Sequence, residues 1–100
     1  MGERIIRRIV VGGRVQGVGF RAFVEERALA TGVAGWVRNR MDRTVECVIA
    51  GDPAAVEAII AACRSGPLSA RVDRCEVTEA GEGDLAVVRR GERFSVLATR

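Results

Sequence analysis

The residues best suited to chemistry lie in a glycine-rich segment that ends at Arg21. Gly17 and Gly19 allow backbone conformations in which successive amide N–H groups turn inward, and such a nest binds anions. The arginine guanidinium is always charged, and its planar fork holds phosphate oxygens in pairs. The segment therefore indicates phosphate binding, although a tight turn followed by a solvated arginine would have the same spacing. The candidate phosphate ligands are the backbone amides of Val15, Gln16, Gly17, Val18, Gly19 and Phe20, together with Arg21.

The elements on either side would place this segment at the start of a helix. A β-branched run within residues 4–12 predicts a buried strand, and apolar residues recur at helical spacing from Phe20 to about Ala30, before a cap at Gly32. A helix N-terminus adds partial positive charge to an anion site. Arg21 in the first turn is unfavourable for the helix dipole by itself, so a docked anion would offset the repulsion.

Further along the chain, hydrophobic spacing predicts a hairpin, a second helix and two more strands. Val45, Cys47 and Ile49 alternate onto one face of the second hairpin strand. Asp52 is a typical helix N-cap, and the proline after it suits the first helical position. The predicted ranges are strands at 36–39, 44–50, 72–77 and 94–98, a helix that follows residue 52 and ends at Gly66-Pro67, a loop at 80–84, and no assignment for 85–90.

This order of elements predicts an α+β fold of the ferredoxin-like βαββαβ type, with two helices on one face of a four- to five-stranded antiparallel sheet. We expect a single domain over residues 1–100. The first and second strands would run in the same direction with the third between them, so their carboxyl ends meet one edge roughly 10 Å apart. The loop before Arg21 and the end of the strand that carries Asn39 should therefore converge, and an arginine side chain is long enough to bridge much of the gap.

The composition excludes several kinds of catalyst. All 16 basic side chains are arginine, and the chain contains no histidine, lysine or tyrosine. Without histidine the usual Ser/His/Asp and Cys/His nucleophilic sites cannot form, and without lysine neither a Schiff base nor a P-loop lysine is possible. Cys47, Cys63 and Cys75 lack CxxC spacing, so they predict buried free thiols rather than a disulfide framework or a zinc site. We expect neither a metal nor a cofactor.

Charge and hydropathy restrict the partners. The net charge is +3, but arginine alternates with acidic residues instead of forming one block, so we expect no nucleic-acid partner. An RNA-binding ferredoxin-like domain stays open as an alternative; it would need stacking aromatics on the open sheet face, where only Trp36 is a candidate. No segment has the roughly 20 apolar residues of a membrane span, and the N-terminus has no signal-peptide pattern. We therefore expect a cytoplasmic protein without a membrane partner, acting as a monomer.

Two motifs carry a family resemblance. The segment 13–21, Gly-Arg-Val-Gln-Gly-Val-Gly-Phe-Arg, resembles the first acylphosphatase signature. The segment 35–39, Gly-Trp-Val-Arg-Asn, followed by Val45 and Gly51, resembles the second. The resemblance continues in the same order through Gly66-Pro67, and two motifs at consistent separation are more specific than either one alone.

The resemblance implies a five-stranded α+β fold and an acyl-phosphate substrate, with Arg21 as a phosphate ligand and Asn39 as the residue that orients the attacking water. The reaction we expect is hydrolysis to a carboxylate and inorganic phosphate by direct attack of water at phosphorus. A non-catalytic module that binds phosphate or carbamoyl phosphate stays open, because acylphosphatase-like domains also occur within larger proteins that handle carbamoyl phosphate.

One position departs from the family pattern. The family normally has glycine in the hairpin turn, where this chain has Arg43 after Asp42. If the turn requires a positive φ, a non-glycine residue is strained there by roughly 1–2 kcal/mol. The sequence therefore predicts either a strained residue at position 43 or a different type of turn.

Overall fold

The computed structural model describes residues 3–100 and contains five strands and two α-helices within that range. The long elements follow the hydrophobic patterns, each within a few residues of its predicted limits. Their bounds are β1 Ile5–Arg14, α1 Phe20–Thr31, β2 Ala34–Asn39, β3 Val45–Gly51, α2 Pro53–Ser65, β4 Arg71–Glu79 and β5 Phe94–Val96, with a short 3₁₀ helix at Glu82–Leu85.

Local chemistry explains where α1 ends and where α2 begins. Gly32 follows α1 in the left-handed region, with φ of 81°, and its amide donates to the carbonyl oxygen of Ala28. The Asp52 carboxylate accepts a hydrogen bond of 3.2 Å from the amide of Ala54, and Pro53 occupies the first helical position of α2. The predicted caps of both helices are therefore confirmed.

The sheet has the strand order β4-β1-β3-β2-β5. The first four strands pair antiparallel, as predicted, but β5 pairs parallel with β2, so the sheet is mixed rather than wholly antiparallel. The reason lies in the connection after β4. Strand β4 ends at the end of the sheet where β2 begins. The chain then crosses from the β4 edge to the opposite edge of the sheet. It therefore enters β5 beside the start of β2, and the two strands run in the same direction.

One face of the sheet carries both helices. Helix α1 packs against β2 and β5, and α2 packs against β1, β3 and β4. Val45, Cys47 and Ile49 all lie in the core beneath the helices, which confirms the predicted alternation of β3. The helices contribute Val24, Ala28, Val56, Ile59 and Cys63 to the same core.

The opposite face is covered by the chain between β4 and the C-terminus. Trp36 is only 2% exposed there, and its indole Nε1 donates a hydrogen bond of 2.6 Å to the carbonyl oxygen of Asp84. Leu85, Val88 and Leu97 pack against the small core around this indole. The stretch that the sequence left unassigned is therefore a series of turns that shields the sheet, and Trp36 is not an exposed stacking residue.

A charged network lies beside the same indole. The Glu46 carboxylate is buried and accepts hydrogen bonds from Arg8 at 2.9 Å and from Arg38 at 3.0 Å. The Arg38 guanidinium also stacks over the Trp36 ring, 4.6 Å from its centroid. Since these residues belong to β1, β2 and β3, the network joins the three central strands just before β2 ends.

The hairpin turn between β2 and β3 holds Arg43 with φ of 76°. The Arg43 amide donates to the carbonyl oxygen of Arg40 at 3.0 Å, and the Arg40 amide donates to that of Thr44 at 2.9 Å. The Asp42 carboxylate accepts from both the hydroxyl and the amide of Thr44, which lowers the pKa of Asp42. The turn therefore keeps the positive φ that glycine would favour, and these bonds hold Arg43 in it.

Arg43→Gly should raise the free energy of unfolding by about 0.5–1 kcal/mol, because glycine removes the left-handed strain at some cost in unfolded-chain entropy. Chemical denaturation of the two proteins measures the difference. Met41→Gly is the matched control, since this exposed neighbour has no positive φ to relieve and glycine there should lower stability. An Arg43→Gly protein no more stable than wild type would contradict the assigned strain.

Candidate active site

The loop between β1 and α1 depends on two glycines for its backbone path. Gly17 has φ of 75° and Gly19 has φ of 81°, in the region that side chains with a Cβ rarely adopt. A Cβ placed on either residue would meet no atom within 4 Å. Glycine is therefore required by the conformation of the loop and not by lack of space.

Several backbone N–H groups of this loop donate no hydrogen bond within the described chain. No carbonyl or side chain of residues 3–100 accepts a hydrogen bond from the amides of residues 16–19. Helix α1 has no acidic residue in its first turn, and Gly19 supplies no side-chain cap. The end of the loop and the start of α1 therefore combine unpaired N–H groups with the positive end of a helix dipole, a combination that favours an anion.

Arg21 stands in the first turn of α1. Its side chain is half-buried, and none of the acidic residues in the described part of the chain forms an ion pair with it. A cation at this end of a helix is unfavourable unless a negative charge is near. The guanidinium is therefore available to a bound anion.

A pocket of about 420 Å³ opens beside the loop, within the range of small-molecule sites. Arg21 and Asn39 both line it, so the structure brings together the two residues that the sequence predicted to converge. Of the other candidates, Gln16 and Val18 are not among its lining residues, and Val18 packs against the core instead. The lining consists of Val15, Gly17, Gly19, Phe20, Arg21, Ala22, Glu25, Asn39 and Val96.

The Gln16 side chain bridges the loop and the hairpin turn. Its Nε2 donates hydrogen bonds of 2.9 Å to the carbonyl oxygens of both Arg40 and Thr44. Arg40 directly follows Asn39, so the amide fixes the end of β2 against the loop. Sequence reasoning placed Gln16 among the phosphate ligands through its backbone and missed this side-chain contact. The predicted approach of the loop to the hairpin was the signal that could have suggested a bridge.

The last residues of the chain hold the other side of Asn39. The amide of Arg100 donates to the Asn39 carbonyl oxygen at 3.1 Å, and the amide of Leu97 donates to that of Val37 at 2.9 Å. On its opposite side, Asn39 pairs with Val45 of β3. The backbone of Asn39 is therefore held by neighbouring backbone on both sides. No sequence pattern predicted the contact with Arg100.

Comparison with known proteins identifies the family. The family model described as Acylphosphatase matches residues 7–90. A curated acylphosphatase of Bradyrhizobium diazoefficiens is 51% identical over 97 residues, which cover 97% of this chain and 98% of that relative. The chain belongs to the acylphosphatase family.

Solved structures agree with this assignment. An acylphosphatase from Bacillus subtilis aligns with a TM-score of 0.79 at 38% identity, over 93% of this chain and 98% of that one. Full-length HypF in a phosphate- and nucleotide-bound form aligns with a TM-score of 0.81 at 26% identity, over 99% of this chain but 12% of that one. Because curated acylphosphatases match over nearly their whole length, this chain is an enzyme of the acylphosphatase family and hydrolyses acyl phosphates, as its two motifs predicted.

Glu25 is a further residue that lines the pocket of this acylphosphatase, and it was not among the candidates from the sequence. It lies four residues after Arg21 on α1. Residues at that spacing share one face of a helix, and this periodicity was the signal that could have found it. Its neighbour Glu26 is exposed and does not line the pocket.

Gln16→Met keeps the side-chain length but removes both donors, and it should lower kcat for acetyl phosphate by about 10- to 100-fold, because small displacements of a positioning group are costly. Competitive inhibition by inorganic phosphate should weaken by less than about threefold, since Arg21 and the loop amides remain. Steady-state kinetics on the folded variant measures both.

Asp52→Ala is the control for a simple loss of stability in the Gln16 experiment. It removes the cap of α2 at the far end of the sheet, costing about 1 kcal/mol, and should leave kcat unchanged. Wild-type kcat in a folded Gln16→Met enzyme would show that the bridge does not position the site.

Proposed function

We propose that water attacks the phosphorus of the bound acyl phosphate directly, releasing a carboxylate and inorganic phosphate without a phosphoenzyme. The observation that carries the proposal is the joint placement of Arg21, Asn39 and the glycine loop around one pocket. Phosphoryl transfer asks a protein mainly for positioning and for stabilisation of charge on the phosphoryl oxygens. The residues of this pocket are of the types that supply both.

The phosphoryl group is assigned to the loop and to Arg21. The unpaired amides of residues 16–19 offer hydrogen bonds to its oxygens, and the guanidinium adds a full positive charge. Because the protein's own hydrogen bonds from Gln16 hold the loop against the hairpin, little reorganisation is needed when charge develops in the transition state. This assignment makes the loop and Arg21 a single anion site, to which inorganic phosphate also binds as product.

The attacking water is assigned to Asn39. A side-chain amide has both a donor and an acceptor group, so it can hold a water molecule in a defined orientation. Asn39 lines the pocket together with Arg21, and its backbone is paired on both sides. These contacts support a role that depends on accurate placement rather than on charge.

The leaving group explains why so few catalytic residues are enough. The group that departs from phosphorus is a carboxylate, whose pKa of roughly 4 means that no strong general acid is required. Val15, Phe20 and Val96 give the pocket an apolar side suited to the acyl portion. The proposed steps are all assigned to residues of this chain, so activity should persist in the presence of a chelator.

Two alternatives remain for comparison. The HypF alignment supports the idea that this fold also serves inside larger proteins, so a non-catalytic phosphate-binding module is the second candidate. RNA binding is disfavoured, because burial of Trp36 leaves the sheet without the stacking aromatic that it would need.

We also propose that the enzyme acts as a monomer in the cytoplasm without a nucleic-acid partner. Its three cysteines are free thiols, which suits a reducing compartment. None of the helices in the described range is long and apolar enough to cross a membrane.

Arg21→Gln and Asn39→Ala should separate binding from turnover. Arg21→Gln should reduce acetyl phosphate hydrolysis and weaken inhibition by inorganic phosphate, each by about 100-fold or more, because it removes the charge that binds the phosphoryl group. Asn39→Ala should reduce kcat by a similar factor but leave phosphate inhibition nearly unchanged. Hydrolysis rates and phosphate inhibition constants, measured with chelator present, provide the comparison.

Arg27→Gln is the matched control for loss of one arginine from α1. Arg27 stacks on Phe23 and does not line the pocket, so its removal should leave both constants near their wild-type values. Full activity in Arg21→Gln would contradict the proposed phosphate site. Equal loss of turnover and phosphate inhibition in Asn39→Ala would assign Asn39 a structural role instead.

A further inference from the structure

The pocket contains more than a phosphate site. Arg21 and Glu25 are its two charged lining residues, and they have opposite signs. Besides Glu25 and the residues assigned to the phosphoryl group and the water, the lining is apolar and consists of Val15, Phe20, Ala22 and Val96. The acyl portion of a substrate would therefore meet an apolar surface with one carboxylate beside it.

The position of Glu25 follows from the helix that carries it. It lies one turn beyond Arg21, which is about 6 Å along the axis of α1. Its side chain is half-buried, and no arginine of the described residues forms an ion pair with it. The negative charge at the pocket is therefore not neutralised by a neighbour.

We propose that Glu25 is a specificity-determining residue that disfavours acyl phosphates whose acyl chain carries a second negative charge. The proposal rests on the proposed function, because it requires the phosphoryl group to lie at Arg21 with the acyl chain extending into the rest of the pocket. The phosphoryl charge is compensated by Arg21 and the loop amides, whereas a carboxylate on the acyl chain would face Glu25 without compensation. Substrates with neutral acyl chains are therefore preferred.

The size of the preference follows from Coulomb's law. Two like charges about 8 Å apart, in a medium of effective dielectric constant between about 20 and 80, repel by an amount that corresponds to about 2- to 30-fold in an equilibrium or rate constant. Salt should weaken the preference, because charges in a solvent-exposed pocket are screened over about 10 Å at 0.1 M ionic strength.

A different role for Glu25 makes a different prediction. Residues four apart on a helix can form an ion pair, so Glu25 could instead serve to orient Arg21. Removing its charge would then reduce the turnover of all acyl phosphates by the same factor. A selective role changes the ratio between substrates, which a purely structural or orienting role would not move.

The test uses two substrates of equal chain length, butyryl phosphate and succinyl phosphate, which differ by the terminal carboxylate. In wild type, kcat/KM should be higher for butyryl phosphate. Glu25→Gln should raise the succinyl-to-butyryl ratio of kcat/KM by about 2- to 30-fold, and most strongly at low salt. Glu26→Gln removes a charge from the adjacent, exposed position and should leave the ratio unchanged.

Four results would overturn the proposal. An unchanged ratio in Glu25→Gln would show that the carboxylate does not act on the acyl chain. An equal fall for both substrates would assign Glu25 to the orientation of Arg21. The same change of ratio in Glu26→Gln would indicate only a general effect of net charge. Failure of wild type to hydrolyse either substrate would contradict the proposed function itself, and the proposed selectivity with it.

Discussion

The site depends on one side-chain amide that joins two otherwise separate parts of the chain. Arg21 belongs to a helix that follows β1, and Asn39 belongs to the end of β2, with β3 lying between the two strands. The Gln16 amide spans this gap by donating to two carbonyl oxygens of the hairpin turn. Its hydrogen bonds hold the loop and the hairpin in one arrangement. The proposed catalysis requires this, because it depends on accurate positioning of Arg21 and Asn39.

The rest of the structure holds the hairpin from its other sides. The buried Glu46 carboxylate binds arginines of both neighbouring strands, and the backbone of Arg100 pairs with that of Asn39. Within the turn, Arg43 keeps a positive φ because hydrogen bonds from its own amide and to the Asp42 carboxylate fix the backbone around it. Local strain of about 1–2 kcal/mol is thus compatible with a stable site, because the surrounding bonds determine the turn geometry.

Features with a local cause were predictable from sequence, and features with a distant cause were not. The glycine loop, the cap at Asp52 and the alternation along β3 each follow from residues close together in the chain. The meeting of Arg21 and Asn39 was predictable because two parallel strands must end at the same edge. The partners of Gln16, the parallel pairing of β5 and the contact of Arg100 with β2 depend on segments far apart in sequence. No short-range pattern encodes them. Glu25 lies between these cases, since its spacing from Arg21 was visible but the pocket beside it was not.

In the proposed mechanism, water held by Asn39 attacks phosphorus in a single displacement. The most direct measurement is the stereochemical course at phosphorus, using an acyl thiophosphate made chiral with oxygen isotopes and hydrolysed in water that carries a third isotope. Direct attack predicts inversion of configuration in the thiophosphate product. Retention would require an intermediate phosphoenzyme and would contradict the account, and isotope from water in the carboxylate would place the attack at carbon instead.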